Sequence, residues 1–572
     1  MKINKYITLV AAAVLLAGCD EFLETESYTK KTTATFPETE ADAESMIAGI
    51  YAVMSNNMLD PDETPFYVYD LASDDRLGGG STSNRNAQSS DRLLSRDNEW
   101  FEDTWQWRYR GIFRANNAIA TMDNVKVWKN ANNKNQYLGE AYFLRAFYYL
   151  DLIQLFGEVP LVLELEAQNL PKSPAEKVYA QITSDLLKAI EIMPAVAYPN
   201  FEKGHATKWA AEALLARTFL FYTGYYNQES LPNADGGTVS KSQVISLLED
   251  CINNSGHALL PDQRSLWPYT NKYTKPTYKY IIENNVDAEW AGDNNQEVLF
   301  ALGMGNVYGW TNRIVEFWGL RKATENAEAV YPFVPTGYSN GPVSRGLWDD
   351  WANDPDYKDD YRRLGSICDR LVEIPDYKGD ANKEVENSNL FCKKYAGIGA
   401  RSEDGSTRYI SYSVLLFGSD DNNQRGLTQG LIHIRFADVL LMHSELTQTA
   451  DGMNKVRARA KLPALNYSLE NIKKERRYEL CFEALRWNDL RRWGDINVIM
   501  PNQVGQSILN RGKDDKYVQF DGELEFMKRY QETGGFWKIP EKEVILSNGV
   551  LIQSKGWEDK KGEWTKLPYN TI

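Results

Sequence analysis

The segment YLGEAYFLRAFYYLDLIQLFG, Tyr137 to Gly157, constrains the fold more than any other stretch of the chain. Laid on a helix at about 100° per residue, Glu140, Asp151 and Gln154 share one narrow polar edge, and nearly everything else is apolar. A helix that is apolar almost all round is buried between neighbours. The chain must therefore supply further helices to cover it. Arg145 falls well away from the polar edge, so it is a buried charge that needs a carboxylate from another segment. Gly157 and Pro160 mark the end of the helix.

Its neighbours are legible. Ala41 to Met54 is amphipathic. In Trp100 to Met122, Trp105, Tyr109, Ile112 and Asn116 recur on one helix face and read as core, with Trp107 on the far side as packing against another segment. Trp100, at the helix entrance, has no periodic reason to be buried. Ser173 to Pro194 opens with an N-cap serine, a proline at N1 and Glu176 placed for a capping box. Tyr179, Ile182, Leu186, Ala189 and Ile190 form its buried stripe. His205 to Gly224 carries Ala210, Ala211, Ala213 and Ala216, which allow close helix approach. Helix pairs with alanine and tyrosine at packing positions look like degenerate tetratricopeptide repeats.

From about Asn227 to Gly426 periodic runs become short, and Asn, Asp, Gly, Tyr and Trp dominate. This region is expected to be mostly loops with small strand pairs, one strand falling in Asn295 to Gly303. Helices are expected again over Gly430 to Thr449 and Asn471 to Trp493. In the latter, Glu475, Glu479, Glu483 and Arg486 fall within one sector of roughly 80°, with Trp493 on the same face. Three carboxylates on one stripe suit acid–base chemistry or a metal. They equally suit an ion-pair ladder to Arg486 and to arginines on adjacent helices, which is the favoured reading.

The chain opens MKINKYITLVAAAVLLAGCDEFLE. Lys2 and Lys5, a short apolar run from Ile7 to Leu16, and small residues before Cys19 read as a signal peptide over 1–18. Leu16-Ala17-Gly18-Cys19 has the lipobox pattern, in which the cysteine takes a diacylglyceryl anchor. Polar, threonine-rich sequence to residue 36 reads as a tether, and 37–572 as one large body. Within it, helical repeats are expected mainly over 37–226 and 427–495, the variable ligand region over about 227–426, and a C-terminal segment over 496–572. Loss of Lys2 and Lys5 moves the formal charge from −15 by two units, to −17. Such a chain is a poor partner for nucleic acid. Cys251, Cys368, Cys392 and Cys481 are too sparse for a disulfide framework or a zinc site, and a Cys368–Cys392 bridge stays open. There are four histidines, with no H-E-x-x-H, G-x-S-x-G or P-loop motif, so no enzyme activity, metal or cofactor is expected.

A binding protein needs aromatic faces and planar polar groups. With 16 Trp and 33 Tyr, most aromatics must be core, so those on loops rise as candidates. Tyr308, Trp310 and Trp318 lie in a Gly/Asn-rich stretch, Met304 to Gly319. The Gly/Ser-rich stretch Tyr69 to Arg92 adds Asp74, Asp75, Asn84 and Arg85 beside Trp100, although Asp74 serves equally as a turn-capping aspartate. Trp267 and Trp290 are weaker, being near expected strands.

Several segments resemble the SusD/RagB family, in the family's order and over nearly the whole mature chain. They are AYFLRAFYYLDLIQLFGEVPLV, HATKWAAEALLARTFLFYTG, IRFADVLLMHSEL, NKVRARAKLP, ERRYELCFEALRWNDLRRWG and WKIPEKEVILSNGVLIQSKGW. His443-Ser444-Glu445 and Gln553-Ser554-Lys555-Gly556 depart slightly from the usual pattern. The resemblance implies a mainly α fold of four tetratricopeptide-like helix pairs with a loop-rich region of small β-strands. It also implies a lipid-anchored protein of the outer-membrane surface of a Bacteroidetes bacterium. Such a protein captures a nutrient, usually an oligosaccharide, and delivers it to a SusC-like TonB-dependent transporter. Asp20, Glu21 and Glu24 resemble the surface-export signal of such lipoproteins. The same architecture with peptides or another nutrient as ligand, and a helical-repeat scaffold that binds only proteins, remain as alternatives.

Overall fold

The computed structural model describes residues 36–558 except 57, 59, 96–98, 305–311, 322–326, 335, 401–409, 418–427 and 520–524. Cys19 and the stretch before residue 36 therefore lie outside the described residues.

The apolar segment forms α5, Ala131–Phe156, and its neighbours cover it as its composition demands. Glu40–Asn56 (α1) and Glu102–Thr121 (α4) lie on one side, Ala175–Ile192 (α6) on the other. Pro65–Leu71 (α2) and Arg85–Asp91 (α3) lie between α1 and α4 in sequence. The stack continues through Lys208–Tyr225 (α7) and Lys241–Asn254 (α8). The chain then leaves it for some 180 residues, read from the helix bounds, and returns as Phe436–Thr447 (α9) packed on α8, followed by Asp451–Arg459 (α10). The pairs α1–α4, α5–α6, α7–α8 and α9–α10 are the four tetratricopeptide-like units. Leu469–Leu480 (α11) packs on α9, and Arg486–Trp493 (α12) packs on α7. At Gly111 a Cβ would sit 2.4 Å from the Tyr148 ring, so only glycine lets α4 approach α5 this closely.

Arg145 finds its carboxylate on α6. Its Nε and Nη2 donate to Asp185 at 2.8 and 2.6 Å, and Nη1 donates to Asn116 Oδ1 at 2.8 Å, so one buried guanidinium ties three helices. Trp105, Ile112 and Asn116 are buried as their spacing requires. Trp107 is half-buried beneath the Arg110 guanidinium, 4.6 Å from its ring. Trp100 departs from expectation. It is 1 % exposed and stacks on Phe101 at 4.1 Å, which in turn meets Phe156 and Trp537. Trp537 of the C-terminal segment packs against Phe101, the ring on which Trp100 stacks.

Other expectations are corrected. Ser173 and Glu176 make no capping box; Ser173 pairs with Val159 instead, and α6 starts after Pro174. The region after Asn227 contains a full helix, α8, opened by a Ser240–Gln243 capping box. The stretch expected as helix from Gly430 begins as a strand, β2 (Leu431–Arg435), antiparallel to β1 (Val298–Leu302). The helix expected over 471–493 is broken, because Phe482 and Ala484 adopt left-handed φ of 65° and 61° between α11 and α12. Cys368 and Cys392 are free, buried thiols.

That break decides where the acidic stripe goes. Glu475, Glu479 and Glu483 do not pair with Arg486, which turns to Asp74. They meet Arg362, Arg435, Arg457, Arg459 and Lys394, together with Glu297 and Asp360. Arg435 spans Glu479 at 2.5 Å, Glu483 at 2.7 Å and Glu297 at 2.8 Å. All ten side chains are buried, five of each sign. Burial favours a neutral Glu479, but Arg459, Arg435, Arg362 and Lys394 together hold its carboxyl well below the usual range.

Removing one member leaves its partners charged and unpaired in the core, which costs about 3–5 kcal/mol. Glu479→Ala is expected to lower the urea-unfolding midpoint accordingly, and Trp100→Ala to cost a similar ~3–5 kcal/mol through the cavity it leaves. A wild-type midpoint in either variant contradicts these assignments. His205 supplies a pH test. Its Nδ1 lies 2.9 and 3.0 Å from the two Glu140 oxygens, and that hydrogen bond raises its pKa above the ordinary 6.5 against the opposing effect of burial. The protonated pair therefore stabilises the fold fully below pH 6.5, and the contribution is lost as pH rises through the raised folded value. His205→Gln is expected to remove this part of the pH dependence; parallel midpoint-versus-pH curves for the two proteins would count against the pair.

Candidate ligand-binding surface

The two loop stretches singled out in the sequence come together. Arg76 from the first lies 4.0 Å above the Trp318 ring from the second, and Tyr67 stacks on the same ring at 6.0 Å. Trp318 is thereby sandwiched and 2 % exposed, so it is the floor of this region and presents no open face. Asp74 and Asp75 are also buried. Asp74 pairs with Arg477 at 2.8 Å and Arg486 at 2.7 Å, and Asp75 with Arg477 at 2.7 Å. Burial opposes the charge of Asp74, yet Arg477 and Arg486 hold its pKa at about 2. Burial pushes Asp75 up to about 6, with Arg477 opposing and Asp74 adding. Both aspartates are struts between the loop and α11–α12, held there by Arg477 and Arg486. Trp267 is buried and Trp290 half-buried. Tyr308 and Trp310 lie outside the described residues.

Above this floor the backbone forms a small irregular lattice. Residues 76–81 bridge to Val343 and Asn340 on one side and to Glu384 on the other, and Arg321 bridges to Gly337. Gly80 (φ +74°) lies where a Cβ would meet Asn340 Oδ1 at 2.3 Å and the Asn84 Cβ at 2.8 Å. Only glycine permits that convergence of two asparagines. Asn84 Oδ1 accepts from the Ser81 N–H at 2.8 Å and the Ser81 hydroxyl at 2.9 Å. Beneath, Asp91 accepts from the Gly78 N–H at 3.1 Å and Glu386 from the Gly79 N–H at 3.0 Å, so the glycine run is held from below. Burial raises Asp91 to about 7, with Arg92 opposing and Glu386 adding.

On or beside the segments that form this lattice, Asn84, Arg85, Arg313, Arg321 and Tyr338 are half-buried. Tyr338 meets Phe317 edge-on at 5.2 Å, and its hydroxyl pKa is raised by burial and by Glu316. Arg313 Nε donates to Glu316 at 2.9 Å. Arg321 is fixed through its backbone: its N–H donates to Ser339 Oγ, and its carbonyl accepts from Tyr377 Oη, each at 2.8 Å. The rim thus offers one aromatic side chain among planar amide and guanidinium groups, a set that suits hydroxyl-rich ligands. Tyr338 and Arg321 were missed in the sequence. Tyr338 stands in PTGYSNGP, where a Gly/Pro-rich turn signals a loop aromatic as clearly as it does around Trp310. Among the described residues no group of three or more His, Cys, Asp or Glu is placed to hold a metal, and no helix is long and apolar enough to cross a membrane.

Comparison with known proteins bears on this arrangement. Residues 21–220 match a family described as starch-binding associating with outer membrane, and residues 323–557 match the SusD family. A SusD-like protein of Formosa agariphila is 26 % identical over 535 residues, covering 86 % of this chain and 90 % of its own. Among solved structures, a laminarin-binding SusD-like protein superposes with a TM-score of 0.64 at 23 % identity, covering 91 % of this chain and 100 % of its own. Surface glycan-binding protein A from Bacteroides fluxus gives 0.67 at 22 % identity, with the same coverage. The two family matches and the shared fold agree from one end of the described helical stack to the C-terminal segment, and the chain belongs to the SusD/RagB family.

Proposed function

We propose that this chain is a glycan-binding lipoprotein of the outer-membrane surface, anchored through Cys19, which captures an oligosaccharide and passes it to a SusC-like TonB-dependent transporter. The observation that carries the reading is the rim around Gly80. There, segments far apart in sequence converge to present Tyr338, Asn84, Arg85 and Arg321 over a floor that Trp318 and Arg76 make rigid. A fixed polar rim beside an aromatic ring meets the two demands of sugar recognition, stacking and hydroxyl hydrogen bonding. Similarity to proteins that bind laminarin and surface glycans supports the same class of ligand. Tyr308 and Trp310 join the ligand set on the sequence argument, because they lie in the stretch that leads into this floor. Transfer to a transporter and lipid attachment rest on family membership and on the lipobox.

Native affinity electrophoresis against a polysaccharide panel that includes laminarin tests the binding. Tyr338→Ala and Asn84→Ala are each expected to weaken retardation about tenfold, equivalent to ~1.4 kcal/mol; Asn84→Ala, which also loses its two bonds from Ser81, is expected to lower the unfolding midpoint as well, by about 0.5–1.5 kcal/mol. No retardation on any glycan sinks the glycan reading. Equal retardation of both variants moves the site elsewhere. A second measurement addresses the partner and the anchor. Detergent extraction of outer membranes is expected to yield the chain with a large β-barrel protein, and Cys19→Ala to leave it in the soluble fraction. A Cys19→Ala protein that stays membrane-bound after it is separated from the barrel protein, or that still incorporates labelled fatty acid, rules out the anchor.

A further inference from the structure

A second surface shares no residue with the Tyr338 rim. Ile545, Leu546 and Ile552 are 65, 63 and 60 % exposed, an unusual density of open aliphatic side chains within eight residues. Leu163 and Leu165, on the loop after Pro160, are exposed as well. The two segments are fastened to each other: Asn169 Nδ2 donates to the Ser547 carbonyl at 2.7 Å, and Lys172 Nζ to the Gln553 carbonyl at 2.8 Å. Between them lies an open cleft of about 460 Å³, walled by Leu170 and Leu546 and floored by Trp105, Tyr109 and Leu551. Its surroundings are acidic, with Glu164 and Glu166 exposed and Glu543 at the edge; the nearby Lys542 is engaged by Glu102 at 2.5 Å.

These features select the occupant. Branched aliphatic side chains give a sugar ring no flat face, and Trp105 on the floor is only 5 % exposed. An acidic rim opposes anionic lipid headgroups. The described chain also enters α1 at the far end of the helices, where Glu40 accepts from the Lys129 N–H, whereas the cleft lies at the start of α4. The length of α4 separates the two by about 30 Å. We propose that this cleft docks a partner protein through a segment carrying a large apolar side chain flanked by lysine or arginine. Fastened walls make it a preformed receptacle, and the carboxylates set the sign of the charge it accepts. The proposal is independent of which nutrient the rim binds.

Leu546→Cys provides the test, since Cys251, Cys368, Cys392 and Cys481 are all buried. The variant is labelled with a benzophenone maleimide on cells that naturally make the protein, irradiated, and the cross-linked peptides are sequenced by mass spectrometry. The expected result is a protein cross-link whose partner peptide carries an aliphatic or aromatic residue within about one helical turn of a basic one. The same label at Val498→Cys, exposed elsewhere, is expected to give no such product. Adding Ile545→Glu and Ile552→Glu is expected to cut the yield about tenfold or more while glycan retardation is unchanged. The proposal is overturned by no cross-link, by cross-links only to lipid or to a second copy, by an acidic partner peptide, or by undiminished yield in the glutamate variants. Failure of wild-type glycan retardation sinks the nutrient reading and leaves this result standing.

Discussion

Ten buried charges, five acidic and five basic, hold the two halves of this molecule together. Glu475 and Glu479 come from α11 and Glu483 from the turn that follows it, and Arg457 and Arg459 from α10; Arg435 closes β2; Glu297, Asp360, Arg362 and Lys394 come from the region outside the helical stack. Ion pairs so deep gain little net stability over an apolar core, because desolvation offsets the attraction. Their effect is on register. Each guanidinium has a planar donor set, so a segment shifted by one residue leaves charges unpaired in a medium where that is prohibitive. Apolar packing alone tolerates rearrangement far better.

The candidate ligand surface depends on that register. Arg477 and Arg486 flank the same α11–α12 junction and grip Asp74 and Asp75, which fixes the start of the glycine run. Arg76 then reaches over Trp318, and Asp91 and Glu386 hold the Gly78 and Gly79 amides from below. A shallow rim whose backbone is braced on both sides loses little entropy when it binds. Of the residues expected from sequence to touch ligand, Trp318, Asp74 and Asp75 lie one layer down, while Asn84 and Arg85 stay half-buried at the rim.

Much of the helical half was legible. Arg145 announced a missing carboxylate, and the structure supplies Asp185; the Trp105 face announced core, and it is core. The α8 helix was legible too, through Ser240, Gln243 and the Val244, Leu248, Cys251 spacing, but lay hidden in a polar region read as loop. Two features had no local signal. Phe482 and Ala484 take left-handed backbone that neither residue favours, beside the buried ion pairs of Glu479 and Glu483. Leu431 to Arg435 is a strand only because β1 lies beside it.

The sequence by itself determined that a nearly all-apolar helix needs helices around it, that the repeats pair, and which family the order of motifs belongs to. It did so because periodicity and capping are local properties of neighbouring residues. Only the tertiary structure decided which aromatics are faces and which are fillers. Trp100 and Trp318 sit on irregular segments, and such segments are as deeply buried as any helix when another layer, here Phe101 backed by Trp537 for one and Arg76 and Tyr67 for the other, packs against them. Exposure is a property of what arrives from elsewhere in the chain, and no spacing within a single segment encodes it.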